Sequence, residues 1–243
     1  MNSLPQNISL NEKIIHIYYI DLIHGFNCIE DLINILSVEE KERANKFYFT
    51  KDKNNFIAAR SFLRLMLSKY LHELPNEIVF SYNKYGKPFL KKTTKLNLKF
   101  NLSHSKSIVA LAITSEREVG IDVEFMRDDL ELINMANNFF SEYEKNELFG
   151  LRKINRLEGF YNCWTRKEAF IKGIGKGLSI PLDSFDVELD PQKPVRLLKV
   201  RSKLNSIKDW QIYDLSIDPE YKCAVAVNSK NVKIEIFKIN KLC

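Results

Sequence analysis

The chain has no CxxC pair, no zinc-finger spacing and no apolar run long enough to cross a bilayer. Its four cysteines (Cys28, Cys163, Cys223, Cys243) are scattered, which excludes a disulfide scaffold and reads as structural thiols in a reducing cytoplasm. The opening residues, MNSLPQNISLNE, are polar, so neither a signal peptide nor membrane insertion is expected. No nucleophile elbow occurs, so a hydrolase triad is not expected. The glycines of GIGKGL (173–178) lack the spacing of a P-loop or a dinucleotide fingerprint, and read instead as a helix stop and tight turn.

What is present suits a globular protein: 243 residues, 45% hydrophobic and 28% charged. The net charge of +6 lies mostly in the first half. Residues 1–118 carry 17 basic and 12 acidic side chains, and residues 119–243 carry 20 and 19. The excess peaks in KYGKPFLKKTTKLNLK (84–99), with six lysines. Such a patch suits an anionic ligand or an acidic protein. No stacking-aromatic motif accompanies it, so nucleic acid is not expected.

Hydrophobic periodicity predicts strands at 13–20, 78–82, 96–103, 107–114 and 119–126, then at 184–189, 194–200, 210–217 and 222–228. Helices are predicted at 37–47, 51–71, 130–138, 141–149 and 156–173, the first opening on a Ser37–Glu40 capping box. NKYGKP reads as a turn. Both halves run strand, helices, strands. The expected fold is α+β, with two similar α/β lobes related by a pseudo-twofold axis, each a small, mostly antiparallel sheet packed with helices. Residues 1–117 and 118–230 form the lobes, and 231–243 is a tail that packs back on the first.

Three stretches carry chemistry. In GIDVE (120–124), Asp122 and Glu124 share one strand face while Ile121 and Val123 point into the core. Adjacent carboxylates repel unless a positive charge lies between them, and hard oxygens on a rigid strand suit Mg²⁺. In the helix FYNCWTRKEAFIK (160–172), Glu168 projects into an aromatic face. Its partner is Lys172 at i+4 or a cation outside the chain. In FNLSHS (100–105), Ser103, His104 and Ser105 lie between two strands at a bend, where hydroxyls, imidazole and backbone N–H groups suit phosphate oxygens.

YGKP, FNLSHS, GIDVE and WTRKEAFIKGIGKGL, in this order and spacing, resemble the surfactin-type (Sfp-type) 4'-phosphopantetheinyl transferases. The resemblance implies a monomer that binds coenzyme A in a cleft between its lobes. Its acceptor is a serine on an apo carrier protein of fatty acid, polyketide or nonribosomal peptide synthesis, and it releases adenosine 3',5'-bisphosphate. It implies Mg²⁺, with Mn²⁺ as an alternative ion, on Asp122, Glu124 and Glu168, and Lys172 near the phosphates. Ser103 and His104 would contact phosphate groups, and Lys87 and Pro88 the adenine nucleotide. Arg43, Lys46, Arg60 and Arg64 are the candidates for the 3'-phosphate. The base would be Glu168, or a metal-bound hydroxide or water relay. A catalytically silent coenzyme A or carrier-binding module is the alternative, and the presence of all three acids and Lys172 weighs against it.

Overall fold

The computed structural model describes residues 10–22, 28–91, 97–128, 131–201 and 209–242. Lys92 and Lys95 of the lysine-rich stretch, and Cys243, lie outside them. In chain order the first half forms β1 (Ile14–Asp21), α1 (Ile29–Ile35), α2 (Val38–Asn45), α3 (Thr50–Leu71), β2 (Phe80–Tyr82), β3 (Pro88–Leu90), β4 (Leu98–Ser105) and β5 (Ile108–Ser115). The second half repeats that order: β6 (Val119–Phe125), α4 (Glu131–Phe139), α5 (Glu142–Gly150), α6 (Lys153–Ile174), β7 (Phe185–Val187), β8 (Leu197–Val200), β9 (Trp210–Asp214) and β10 (Tyr221–Asn228). Among the described residues, each half is one strand, three helices, a small hairpin and two strands.

The pairing repeats as well. The first sheet runs β1-β5-β4 and the second β6-β10-β9, all antiparallel. A final strand, β11 (Lys233–Ile239), joins the free edge of β1 in parallel. The tail thus contributes a strand, where its sequence reads as mixed. Among the described residues, the corresponding edge of β6 pairs with no further strand.

β5 is buried along its whole length because both faces are covered. Val109, Leu111 and Ile113 join the core under α3, with Phe62, Leu63 and Leu67. Ile108, Ala110 and Ala112 face the other way, into a core shared with Ile121 and Val123 of β6 and Val225 of β10. The two sheets therefore pack across one apolar layer. The even-numbered residues of β6 face α6, whose Phe160, Ala169 and Phe170 anchor the third core.

α6 lies very close to β6, and the first residue of GIDVE shows why. A Cβ on Gly120 would stand 2.1 Å from the Ala169 carbonyl oxygen and 2.2 Å from the Gly173 nitrogen. Contacts that short do not occur, so only glycine allows this approach. Gly173 serves the same purpose toward Trp210.

Buried charges fasten the second lobe. Lys167 is fully buried and donates to the Leu182 and Phe185 carbonyls at 2.6 Å each, with Glu144 at 2.8 Å. Glu144 also accepts from Ser141 N–H, closing a capping box, and from Val187 N–H. Removing one partner of a buried pair typically costs about 3–5 kcal/mol. Lys167→Met should lower the unfolding free energy by about that much in urea titration; a loss within error of zero would refute the anchoring role.

Cys163 and Cys223 are buried free thiols. Cys28 is disulfide-bonded, which departs from the reading of four scattered thiols. Among the described residues no helix is long and apolar enough to cross a membrane.

Candidate active site

GIDVE and the α6 motif meet because Gly120 brings their backbones together. Asp122, on β6, is 1% exposed. Its Oδ1 accepts from Lys172 Nζ at 2.5 Å and from Ser103 Oγ at 3.0 Å. Its Oδ2 is buried with no hydrogen-bond partner among the described residues. Burial pushes the Asp122 carboxyl up, against the opposing pull of Lys172 and Ser103. Glu124, two residues on, accepts from Ser105 Oγ at 2.8 Å. Burial and then the Asp122 charge push its carboxyl up; Ser105, Lys172 and Trp164 act in the other direction.

Glu168 enters from α6. Among the described residues it has neither a hydrogen bond nor a salt bridge. Burial, then the charge of Asp122, pushes its carboxyl up from 4.5 to about 7, with Lys172 opposing and Glu124 adding to the shift. Burial works against the charge on Lys172, but Asp122 leads an attraction that raises its pKa overall. The sequence offered Lys172 as the i+4 partner of Glu168. The structure gives it to Asp122 instead. Helix-surface pairs contribute only about 0.2–0.5 kcal/mol, whereas a fully buried carboxylate left unpaired costs far more.

FNLSHS is not a bend but the end of β4. Asn101, Ser103 and Ser105 therefore share one face, turned to β6. They accept from the backbone N–H groups of Ile121 (2.9 Å), Val123 (3.4 Å) and Phe125 (3.1 Å). His104 alternates outward and is exposed. Crowding by protein atoms, then the Lys172 charge, hold its imidazole below the ordinary value of 6.5. At neutral pH it is an uncharged donor, not a positive charge.

The NKYGKP turn closes over the end of α6. Asn83 Nδ2 donates to the Gly175 carbonyl at 2.6 Å. Lys87 Nζ donates to the Gly173 carbonyl (2.8 Å), Glu118 Oε2 (3.1 Å) and the Val119 carbonyl (3.2 Å). An ammonium has three hydrogens, so Lys87 clamps the helix C-terminus, where a cation is favoured, and it also lines the cavity beside Pro88. Pro88 borders a cavity of about 240 Å³ that also touches Lys99, Phe100 and Ile174. A second cavity of about 390 Å³, between Asn137 and Arg201, touches none of these groups.

The four first-lobe cations divide. Arg64 is 1% exposed and donates to Glu40 (2.6 Å) and the carbonyls of Pro75 (2.7 Å) and Ile78 (2.9 Å). These bonds tie it to its own lobe. Arg60 also pairs with Glu40, at 2.8 Å through Nε, and lies over Phe80. Arg43 and Lys46 are exposed and form no ion pair among the described residues; Arg43 rests on the Phe56 ring.

Residues 118–226 match the profile of the 4'-phosphopantetheinyl transferase superfamily, and residues 27–116 match that of the 4'-phosphopantetheinyl transferase N-terminal region. The chain is 34% identical to 4'-phosphopantetheinyl transferase HetI of Nostoc sp. over 224 residues, 92% of this chain and 91% of the relative. It is 35% identical to 4'-phosphopantetheinyl transferase Sfp of Bacillus subtilis over 199 residues, 81% of this chain and 84% of the relative. The chain belongs to the 4'-phosphopantetheinyl transferase superfamily. A third relative, 4'-phosphopantetheinyl transferase gsp of Aneurinibacillus migulanus, is 33% identical over 228 residues, 90% of this chain and 88% of the relative.

In this transferase, Asp122, Glu124, Glu168 and Lys172 share one electrostatic neighbourhood. No three His, Cys, Asp or Glu side chains among the described residues form a ready-made metal cage. The donor set still fits a hard dication. Asp122 Oδ2 lacks a partner among the described residues, and carboxyls raised by burial and, for Glu124 and Glu168, by a neighbouring acid gain from added positive charge. Mg²⁺ needs only one or two carboxylates when waters and substrate phosphates complete its shell. Three contributors escaped the sequence reading: Asn101, the buried Lys167, and Ser105 as a partner of Glu124. The N-x-S-x-S alternation in an otherwise apolar strand was the signal for two of them.

Proposed function

We propose that the protein transfers the 4'-phosphopantetheine arm of coenzyme A to a serine hydroxyl of an apo carrier protein, releasing adenosine 3',5'-bisphosphate, with Mg²⁺ held by Asp122, Glu124 and Glu168. The observation that carries this reading is the meeting of three acids and Lys172 at the β6–α6 seam, with Asp122 Oδ2 unpartnered. In this reading the lobes are 1–117 and 118–230, and the enzyme acts as a cytoplasmic monomer. A bound dication there would offset the pyrophosphate charge and stabilise the leaving oxygen.

The chain's own groups supply the rest. Lys172 and the neutral His104 donate where charge develops on the phosphates. Ser103 orients Asp122. Glu168, its carboxyl pushed up to about 7 by burial and then the Asp122 charge when no metal is bound, is the candidate to receive the serine proton, directly or through a water; a dication bound to it would lower that basicity, which favours the water route. Arg43 and Lys46, exposed and unpaired, are the cations for the 3'-phosphate. The cavity beside Pro88 supports a place for the nucleotide base. The basic first half suits an acidic carrier surface.

The deciding experiment incubates the protein with coenzyme A, Mg²⁺ and a panel of apo carriers, and weighs each carrier. A gain of one phosphopantetheine unit is expected. No gain on any carrier would leave a binding module, and phosphopantetheine released without an acceptor would indicate a hydrolase.

The raised Glu168 carboxyl also predicts a pH-dependent stability in EDTA. Its folded value of about 7 exceeds its ordinary 4.5, so the folded state binds the extra proton. That contribution is complete below pH 4.5 and is lost as pH rises through 7. Over this window the wild-type protein should lose on the order of 3 kcal/mol relative to Glu168→Gln in urea unfolding. Parallel pH profiles for the two would refute the shift.

A further inference from the structure

The geometry points to Ser105 as a positioning residue for Glu124, setting the affinity of the divalent site. This inference rests on the metal reading above. It starts from a question about β6. One edge of β6 pairs with β10, and the other pairs its backbone with no strand among the described residues, although β4 lies against it. Backbone N–H groups along a buried edge must find acceptors. Those of Ile121, Val123 and Phe125 find them in side chains of β4: Asn101 Oδ1, Ser103 Oγ and Ser105 Oγ. The sheets are joined by a side-chain ladder with three rungs.

The rungs differ in chemistry. Asn101 only accepts its N–H. Each serine has one further hydrogen to give, and gives it to the acid just before the residue whose N–H it holds. Ser103 Oγ donates to Asp122 Oδ1 at 3.0 Å, and Ser105 Oγ donates to Glu124 Oε2 at 2.8 Å. Ser105 is thus fixed at both ends: its lone pair by the β6 backbone, its hydrogen by the carboxylate. Trp164, on α6, also acts on the Glu124 carboxyl, in the direction that favours its charge. The hydrogen bond from β4 is what fixes the orientation of the carboxylate. Without the hydroxyl, Glu124 keeps its charge but loses its fixed orientation, and Phe125 N–H loses its acceptor.

Outer partners that orient a metal-binding side chain commonly change metal affinity by about 10–100-fold when removed. Ser105→Ala should therefore weaken divalent binding about tenfold, while KM for coenzyme A measured at saturating metal stays at the wild-type value. Ser105→Thr, which keeps the hydroxyl, should restore the affinity.

The test titrates Mn²⁺ into the protein with coenzyme A and no carrier, so that no turnover occurs, and reads free Mn²⁺ by electron paramagnetic resonance. Thermal unfolding is measured on the same samples. Asn101→Ala is the control: it breaks a rung that carries no acid, and should lower the melting temperature without changing Mn²⁺ affinity. Wild-type Mn²⁺ affinity in Ser105→Ala would overturn the assignment. So would an equal loss in Asn101→Ala, which would make the ladder merely structural. A wild-type protein that takes up no Mn²⁺ would overturn the metal reading itself, an outcome distinct from the other two.

Discussion

Glu168→Gln should lower kcat by roughly two to four orders of magnitude, the range associated with a positioned acid–base group, while the protein folds normally. The fold is expected to survive because Glu168 makes no hydrogen bond or salt bridge among the described residues. The amide has the same shape and carries no charge to be repelled by Asp122 and Glu124. Circular dichroism and a urea titration check the fold; carrier mass against time gives the rate. The two proposed roles separate on a metal titration. If the lost function is metal binding, activity should return as Mg²⁺ is raised. If it is proton transfer, the rate stays low at saturating Mg²⁺. Near-normal turnover would remove Glu168 from the mechanism altogether.

Gly120→Ala should damage stability and activity together, although the substitution adds a single methyl group. The new Cβ would meet backbone atoms of Ala169 and Gly173, not the yielding end of a side chain. Overpacking usually costs about 1–3 kcal/mol, and two backbone collisions put this site at or above the top of that range. Separation of β6 from α6 also moves Asp122 and Glu124 away from Glu168, and a shift of about 1 Å in a reacting constellation can cost about a hundredfold in rate. Gly150→Ala is the matched control, because nothing lies within 4 Å of a Cβ there. Denaturation midpoints and kcat should fall for Gly120→Ala and hold for Gly150→Ala. Unchanged values for Gly120→Ala would mean the close packing of β6 on α6 is not required.

The parts of this site that could be read from the sequence are those set by local periodicity. Alternation in GIDVE placed Asp122 and Glu124 on one face, and helical spacing placed Glu168 and Lys172 on another, because side-chain direction follows from the backbone alone. What could not be read required knowing which elements meet. Lys172 has two acids within reach, and its choice of Asp122 follows from burial that only the packed fold creates. Glu40 reads in the sequence only as half of a capping box, yet it is also the anchor that holds Arg60 and Arg64. FNLSHS passed for a bend because its polar residues resemble turn chemistry; in the fold they replace a missing neighbour strand. The short α1 and β3 carry too few residues to show a period. β11 alternates weakly, and its partner is the first strand of the chain.

That last pairing bears on how the polypeptide reaches its native state. Every other neighbour in the first sheet leaves the ribosome within the first half of translation, but the strand that completes the β1 margin emerges after the whole second lobe. Until then β1 presents a row of unpaired amides and carbonyls, the kind of open border that recruits foreign chains. Nascent chains arrested before Lys233 should accordingly be the most aggregation-prone species in biogenesis, and the amino-terminal lobe, first to be made, should be the last to mature.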